Sequence, residues 1–177
     1  MKIGFTGTVS VGKTTLVKSL AELPEFRDYI TRTERSQYLR DLGIPLNTDS
    51  TILGQTVFLA ERCSELLQPN IITDRTIVDV MAFTSLSKSI NIYDKEAFEC
   101  YAECMLKEYD FIFYVSPKGI DIEDNGVRTI DPDYRTRVDN EIKHILIMNN
   151  HLINNMVEIS GSNENRIQTV LETLFRV

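Results

Sequence analysis

Gly7-Thr8-Val9-Ser10-Val11-Gly12-Lys13-Thr14 is the stretch on which the reading of this chain turns. It matches the pattern G-x-x-x-x-G-K-S/T without a mismatch. Before it stands Lys2-Ile3-Gly4-Phe5-Thr6, a short apolar run of the kind that forms a buried parallel strand. After it, Leu16, Val17, Leu20 and Leu23 recur at helical spacing until Pro24. Strand, glycine-bearing turn and helix in that order build an anion cradle. Glycine lets the backbone curl around an anion, and the N–H groups from about Val9 to Thr14 then turn inward. The helix N-terminus adds positive potential. The expected nucleotide-binding residues are Gly7, Val9, Ser10, Val11, Gly12, Lys13, Thr14 and Thr15. Lys13 is expected to reach the β- and γ-phosphates of ATP, and Thr14 to hold Mg²⁺ through its hydroxyl.

Outward from this loop, strands and helices alternate. Residues 28–33 (DYITRT) read as a second strand, 34–42 as a short helix stopped by Gly43, and 50–68 as a longer helix closed by Pro69. In that longer helix Ile52, Val57, Leu59, Leu66 and Leu67 are the candidate core positions. Residues 70–73 read as the third strand, with Asp74 and Arg75 at its C-terminal end. Helical stretches follow at about 76–88 and 94–108, and 110–115 (DFIFYV) is the strongest strand pattern. Residues 117–132 are polar with two glycines and read as a loop or lid. A helix over 133–152, a strand over 156–159 and a helix over 163–175 complete the chain. The pattern is that of an α/β fold with a mainly parallel sheet, read as one domain over residues 1–177. Ligands in such sheets sit beyond the carboxyl ends of the strands. The phosphate loop, Glu34, Asp74-Arg75 and the segment after Val115 all fall at that edge.

The composition agrees with a folded chain: 177 residues, 42% hydrophobic and 25% charged. The net charge of −7 and the pI near 4.9 give no electrostatic footprint for non-specific nucleic-acid binding. Three cysteines without metal-ligand spacing point to reduced thiols, and Cys100 and Cys104 read as small core or boundary residues. His144 and His151 read as structural. No signal-peptide pattern precedes the phosphate loop, and no apolar run approaches the roughly 20 residues that span a membrane. The expected location is the cytoplasm.

The remaining chemistry-bearing residues admit two readings each. Asp74 faces the magnesium as an acid at the end of a β-branched strand, or it caps the helix that begins near Thr76. Arg75 clamps a phosphate or the acceptor, or forms a surface ion pair. Glu34 deprotonates an acceptor hydroxyl, or is a first-turn acid favoured by the helix dipole. Arg32 is a lesser candidate. Arg128, on a lid over about 117–137, closes over the transferring phosphoryl group; Arg135 and Arg137 are secondary candidates, and the bland alternative is a solvated helix start. Ser160-Gly161-Ser162 could pass beneath an adenine ring.

No D-x-x-G follows the loop and no N-K-x-D occurs, which argues against a GTPase switch. A small kinase fits better. The run Asp74-Arg75-Thr76-Ile77-Val78-Asp79-Val80-Met81-Ala82-Phe83 resembles the D-R-x-x-x-D-x-x-A-Y/F stretch of the small P-loop kinases grouped around ribosylnicotinamide kinase, the AAA-type ATPase/kinase family. Glu34-Arg35, Asp124 to Arg128 and Gly161 to Arg166 resemble three further motifs of that family. Deoxynucleoside and thymidylate kinases carry a similar D-R pair. The resemblance implies a three-layer α/β/α P-loop fold with strand order 2-3-1-4-5. It implies transfer of the γ-phosphoryl group of ATP to a nucleoside- or nucleotide-like acceptor. Arg128 would then be the lid arginine and Asp74 the magnesium-side acid. A homodimer follows family habit. Some relatives act on modified pyrimidines in DNA, an acceptor that the acidic charge disfavours, and a regulatory ATPase without a small acceptor is the remaining alternative.

Overall fold

Five short runs rich in β-branched and aromatic residues pair into one parallel sheet in the computed structural model, which describes residues 1–33, 36–118 and 131–175. The strands are β1 (Lys2–Thr6), β2 (Ile30–Arg32), β3 (Ile71–Asp74), β4 (Phe111–Val115) and β5 (Met156–Ile159). Their order is β2-β3-β1-β4-β5, as the family resemblance implied, and each neighbouring pair is parallel. Helices α1 (Lys13–Ala21), α2 (Ser36–Asp41), α3 (Ile52–Glu65), α4 (Ile77–Leu86), α5 (Ile92–Glu103), α6 (Pro132–Met148) and α7 (Asn163–Phe175) make the crossovers. No helix among the described residues is long and apolar enough to cross a membrane.

The period-2 alternation of β4 shows why helices cover both faces. Ile112 and Tyr114 join one buried cluster with residues of α3, α4, α5 and α6. Phe113 and Val115 point the other way, into a cluster with Leu16, Val17 and Leu20 of α1 and Val170 of α7. Strands buried on both faces need apolar residues at successive positions, and FIFYV supplies them. The parallel register lines up the strand ends: Phe5 lies beside Asp74, Thr6 beside Tyr114, and Val115 beside Ile159. The phosphate loop and the Asp74-Arg75 pair therefore emerge side by side.

Three expectations are corrected. Leu67 is 82% exposed, because α3 ends at Glu65 and the chain leaves its inward-facing stripe. That stripe also buries Gln55, Arg62 and Glu65, polar residues that an apolar template passes over. Cys100 and Cys104 are both exposed, not in the core. Asp74 is not the cap of α4. Thr76 caps that helix, and Asp79 returns a bond to the Thr76 N–H at 2.8 Å to complete a capping box.

Candidate active site

The phosphate loop takes its shape from residues in left-handed backbone conformations. Ser10 has φ 56° and Gly12 φ 81°, the latter at the N-cap of α1. Gly7, with φ 151°, passes so close to β4 that a Cβ there would lie 2.6 Å from the Val115 carbonyl oxygen. Lys13 is buried, and its Nζ donates to the Gly7 and Thr8 carbonyls at 2.7 and 2.8 Å. The lysine thus spans the loop from inside. Thr14 Oγ1 donates to Asp74 Oδ2, so the two expected magnesium-side oxygens are in contact. Asp74 is 1% exposed.

Beyond Asp74 the chain turns sharply. Arg75 has φ 86°, a strained value for a residue with a side chain, and its N–H donates to Phe5 O at 3.0 Å. Arg62 of α3 supports the turn: one guanidinium nitrogen reaches the Asp74 and Arg75 carbonyls at 3.3 and 3.4 Å. The other reaches Glu65 at 2.9 Å, so the buried cation has a partner. Arg75 itself lies 3.6 Å from Asp79 Oδ1 and 5.1 Å from the centroid of the Phe83 ring. The D-R-x-x-x-D-x-x-A-F spacing becomes legible here. Asp74 meets Thr14, Asp79 both caps α4 and faces Arg75 one turn away, and Phe83 lies against the guanidinium. The surface-pair alternative for Arg75 is replaced by a pair with a fully buried acid.

A cavity opens next to this turn, with about 510 Å³ of empty space, part of it solvent. Val9 and Arg75 line its phosphate-loop side, and Leu46, Gln55, Phe58 and Phe83 line the rest with others. Gln55 is 3% exposed and makes no side-chain hydrogen bond to the described residues, so its amide is spare within the wall. Gln55, Phe58 and Arg62 belong to none of the sequence motifs, and Phe83 enters only as the last residue of the D-R-x-x-x-D-x-x-A-F run. The available signal was polar residues at positions 55, 62 and 65, one helical face of α3.

On the other side of the loop a second cavity is lined by Gly12, Thr15, Lys118, Gly161, Ser162 and Arg166, among others. It places near α1 the Ser160-Gly161-Ser162 turn, the segment expected to be able to pass beneath an adenine ring. The first turn of α6 is tied to the loop from above. Thr8 Oγ1 donates to the Arg135 carbonyl at 2.8 Å, and Arg135 Nε donates to Val9 O at 3.3 Å. Arg137 lies over the Tyr134 ring at 5.7 Å. Burial pushes the Tyr134 hydroxyl up to about 12, against the pull of Arg75 and Arg137, so it is a neutral phenol at physiological pH. Arg32 is exposed on edge strand β2. Glu34, Arg35 and Arg128, with residues 119–130 of the expected lid, lie outside the described residues.

The profile of the AAA domain family matches residues 2–166. The chain belongs to the AAA domain family. No curated protein matches this AAA-domain chain in sequence. Among solved structures it is similar to deoxyadenosine kinase from M. mycoides with the products dCMP and a flexible dCDP bound, at 17% identity, TM-score 0.66 and full coverage of both chains. The same kinase with bound dCTP gives 18% identity and TM-score 0.69, again covering both chains fully. NadR protein in complex with NR gives 17% identity and TM-score 0.77 over 99% of this chain and 51% of that one. This AAA-domain chain therefore spans about half the length of the NadR chain. At these identities the likeness establishes the P-loop kinase-like fold.

Proposed function

We propose that this chain is an ATP-dependent kinase that transfers the γ-phosphoryl group to a hydroxyl of a nucleoside-like acceptor. The observation that carries the reading is the spare, buried amide of Gln55 in a cavity walled by Phe58 and Phe83 and open to Val9 and Arg75. An amide offers a donor and an acceptor side by side, which suits the edge of a planar heterocycle. Aromatic walls suit its faces. The acceptor hydroxyl would then face the phosphate loop. The structural neighbours with bound nucleotides or NR support the same reading.

In this mechanism the loop from Gly7 to Thr15 holds the triphosphate of ATP. Lys13, Arg75 and Arg128 stabilise developing charge on the phosphoryl oxygens. Thr14 and Asp74 supply the hard oxygen donors that suit magnesium, which when bound would neutralise charge on the β- and γ-phosphates. Glu34 or Asp74 orients or deprotonates the acceptor hydroxyl. Residues 1–177 act as one kinase domain in the cytoplasm, and homodimerisation is part of the same proposal.

A panel of nucleosides and nucleotides, read by ADP release, tests the reading. One member of the panel is expected to raise ADP release well above the rate with ATP alone. Slow release unchanged by every member would instead identify a regulatory ATPase. With the acceptor in hand, Gln55→Leu keeps the volume and removes the amide. Its kcat/KM for the acceptor is expected to fall roughly 10–100-fold, with the KM for ATP unchanged. An unchanged acceptor kcat/KM would remove Gln55 from the site.

A further inference from the structure

Arg166, in the first turn of α7, is 3% exposed and has no part in the mechanism above. Its Nη1 donates to the Val11 carbonyl of the phosphate loop at 2.7 Å. Its Nη2 donates to the Ser116 carbonyl just past β4 at 3.4 Å. Nε is buried without a partner, and no carboxylate among the described residues pairs with the guanidinium. Desolvation by burial moves its pKa downward, and no neighbouring charge among the described residues offsets that shift. The contrast with Arg62 is informative, since that buried guanidinium has Glu65 at 2.9 Å. A cation taken out of water is strongly disfavoured unless a counter-charge compensates it, and two carbonyl bonds return only part of that loss.

The geometry fixes what this charge touches. In a trans peptide the C=O and the following N–H point in opposite directions. Holding Val11 O toward α7 therefore directs the Gly12 N–H away from α7. Gly12 allows the close approach: a Cβ there would lie 3.3 Å from Arg166 Nη1. The loop, β4 and α7 are joined at one buried cation.

We infer that Arg166 is a positioning residue for the phosphate cradle, and that the bound polyphosphate is the counter-charge its buried guanidinium otherwise lacks. This rests on the reading of the loop as a triphosphate site. It accounts for the terminal G-x-x-x-x-R pattern, Gly161 to Arg166, through the arginine's bond to the loop rather than through a base contact.

The test compares wild type, Arg166→Met, Arg166→Lys and Arg166→Gln by thermal unfolding and by direct binding of two probes, Mg-ATP and Mg-tripolyphosphate. The second probe has no base. Wild type is expected to bind and be stabilised by both. Without ligand Arg166→Met is expected to lose little stability, since relief of the unpaired buried charge offsets the two carbonyls left without a donor, yet it should bind both probes about tenfold more weakly or worse. A variant less stable without ligand but with unchanged affinities would show a structural brace only and overturn the inference. Weakened ATP binding with unchanged tripolyphosphate binding would overturn it too, by assigning Arg166 to the base. If Arg166→Met does not fold, the other two variants decide. Lysine keeps the charge and should bind both probes more tightly than glutamine; equal affinities would reject the counter-charge. Failure of wild type to bind either probe would instead sink the triphosphate reading of the loop.

Discussion

Lys13→Ala is expected to lower phosphoryl transfer by at least about 10³-fold while the chain remains folded. The amine is buried inside the loop and bonded to the Gly7 and Thr8 carbonyls, and alanine leaves that position without a charge or a donor. Removing it withdraws a desolvated positive charge from the position where the β- and γ-phosphates are proposed to sit. The cost to the fold is smaller. Two loop carbonyls lose a donor, worth about 1–2 kcal/mol, which is a fall of roughly 2–8 °C in Tm for a chain of this size. Circular dichroism and a melting curve check the fold, and the ADP-release assay checks the chemistry. Turnover near the wild-type rate in a folded Lys13→Ala protein would overturn the kinase proposal at its centre.

The largest effect on the scaffold is expected for Gly7→Ala. Two independent costs fall on one methyl group. The φ of 151° lies outside the regions open to alanine, and the methyl would sit 2.6 Å from a backbone oxygen of β4 that cannot swing aside. Together they amount to about 3 kcal/mol, or a Tm lower by roughly 6–12 °C. The loop must also shift away from Val115, which displaces the Lys13 anchor at Gly7 O. ATP binding should therefore be lost even below the new Tm. A Gly7→Ala protein that melts with wild type and binds Mg-ATP normally would show that the loop is not held against β4 as described.

Much of the fold was legible because its signals are local. Periodicity placed the strands and most helices within a few residues, since burial on a sheet face or a helix stripe repeats along the chain. Errors arose where burial did not follow apolarity. Leu67 looks like core but follows the end of α3, and Cys100 and Cys104 look like small core or boundary residues but face solvent. The cavity beside Arg75 was hidden for a related reason. Gln55 comes from α3, Arg75 and Phe83 from the β3–α4 region, and Val9 from the phosphate loop. Nothing in sequence spacing brings those segments together; parallel strand register does.

By itself the sequence determined the phosphate loop at Gly7 to Thr14, the α/β class and the neighbourhood of the Asp74-Arg75 pair. Each is a contiguous motif whose chemistry is written in adjacent residues. Tertiary structure alone decided what each motif touches. It gave Asp74 to Thr14 rather than to the α4 N-terminus, set Arg75 between Asp79 and Phe83, and left a spare amide at Gln55. It also brought Arg166, 155 residues away in sequence, to the Val11 carbonyl. The physical reason is that hydrogen bonds and desolvation act across space between segments, and a linear pattern records only which groups are available to make them.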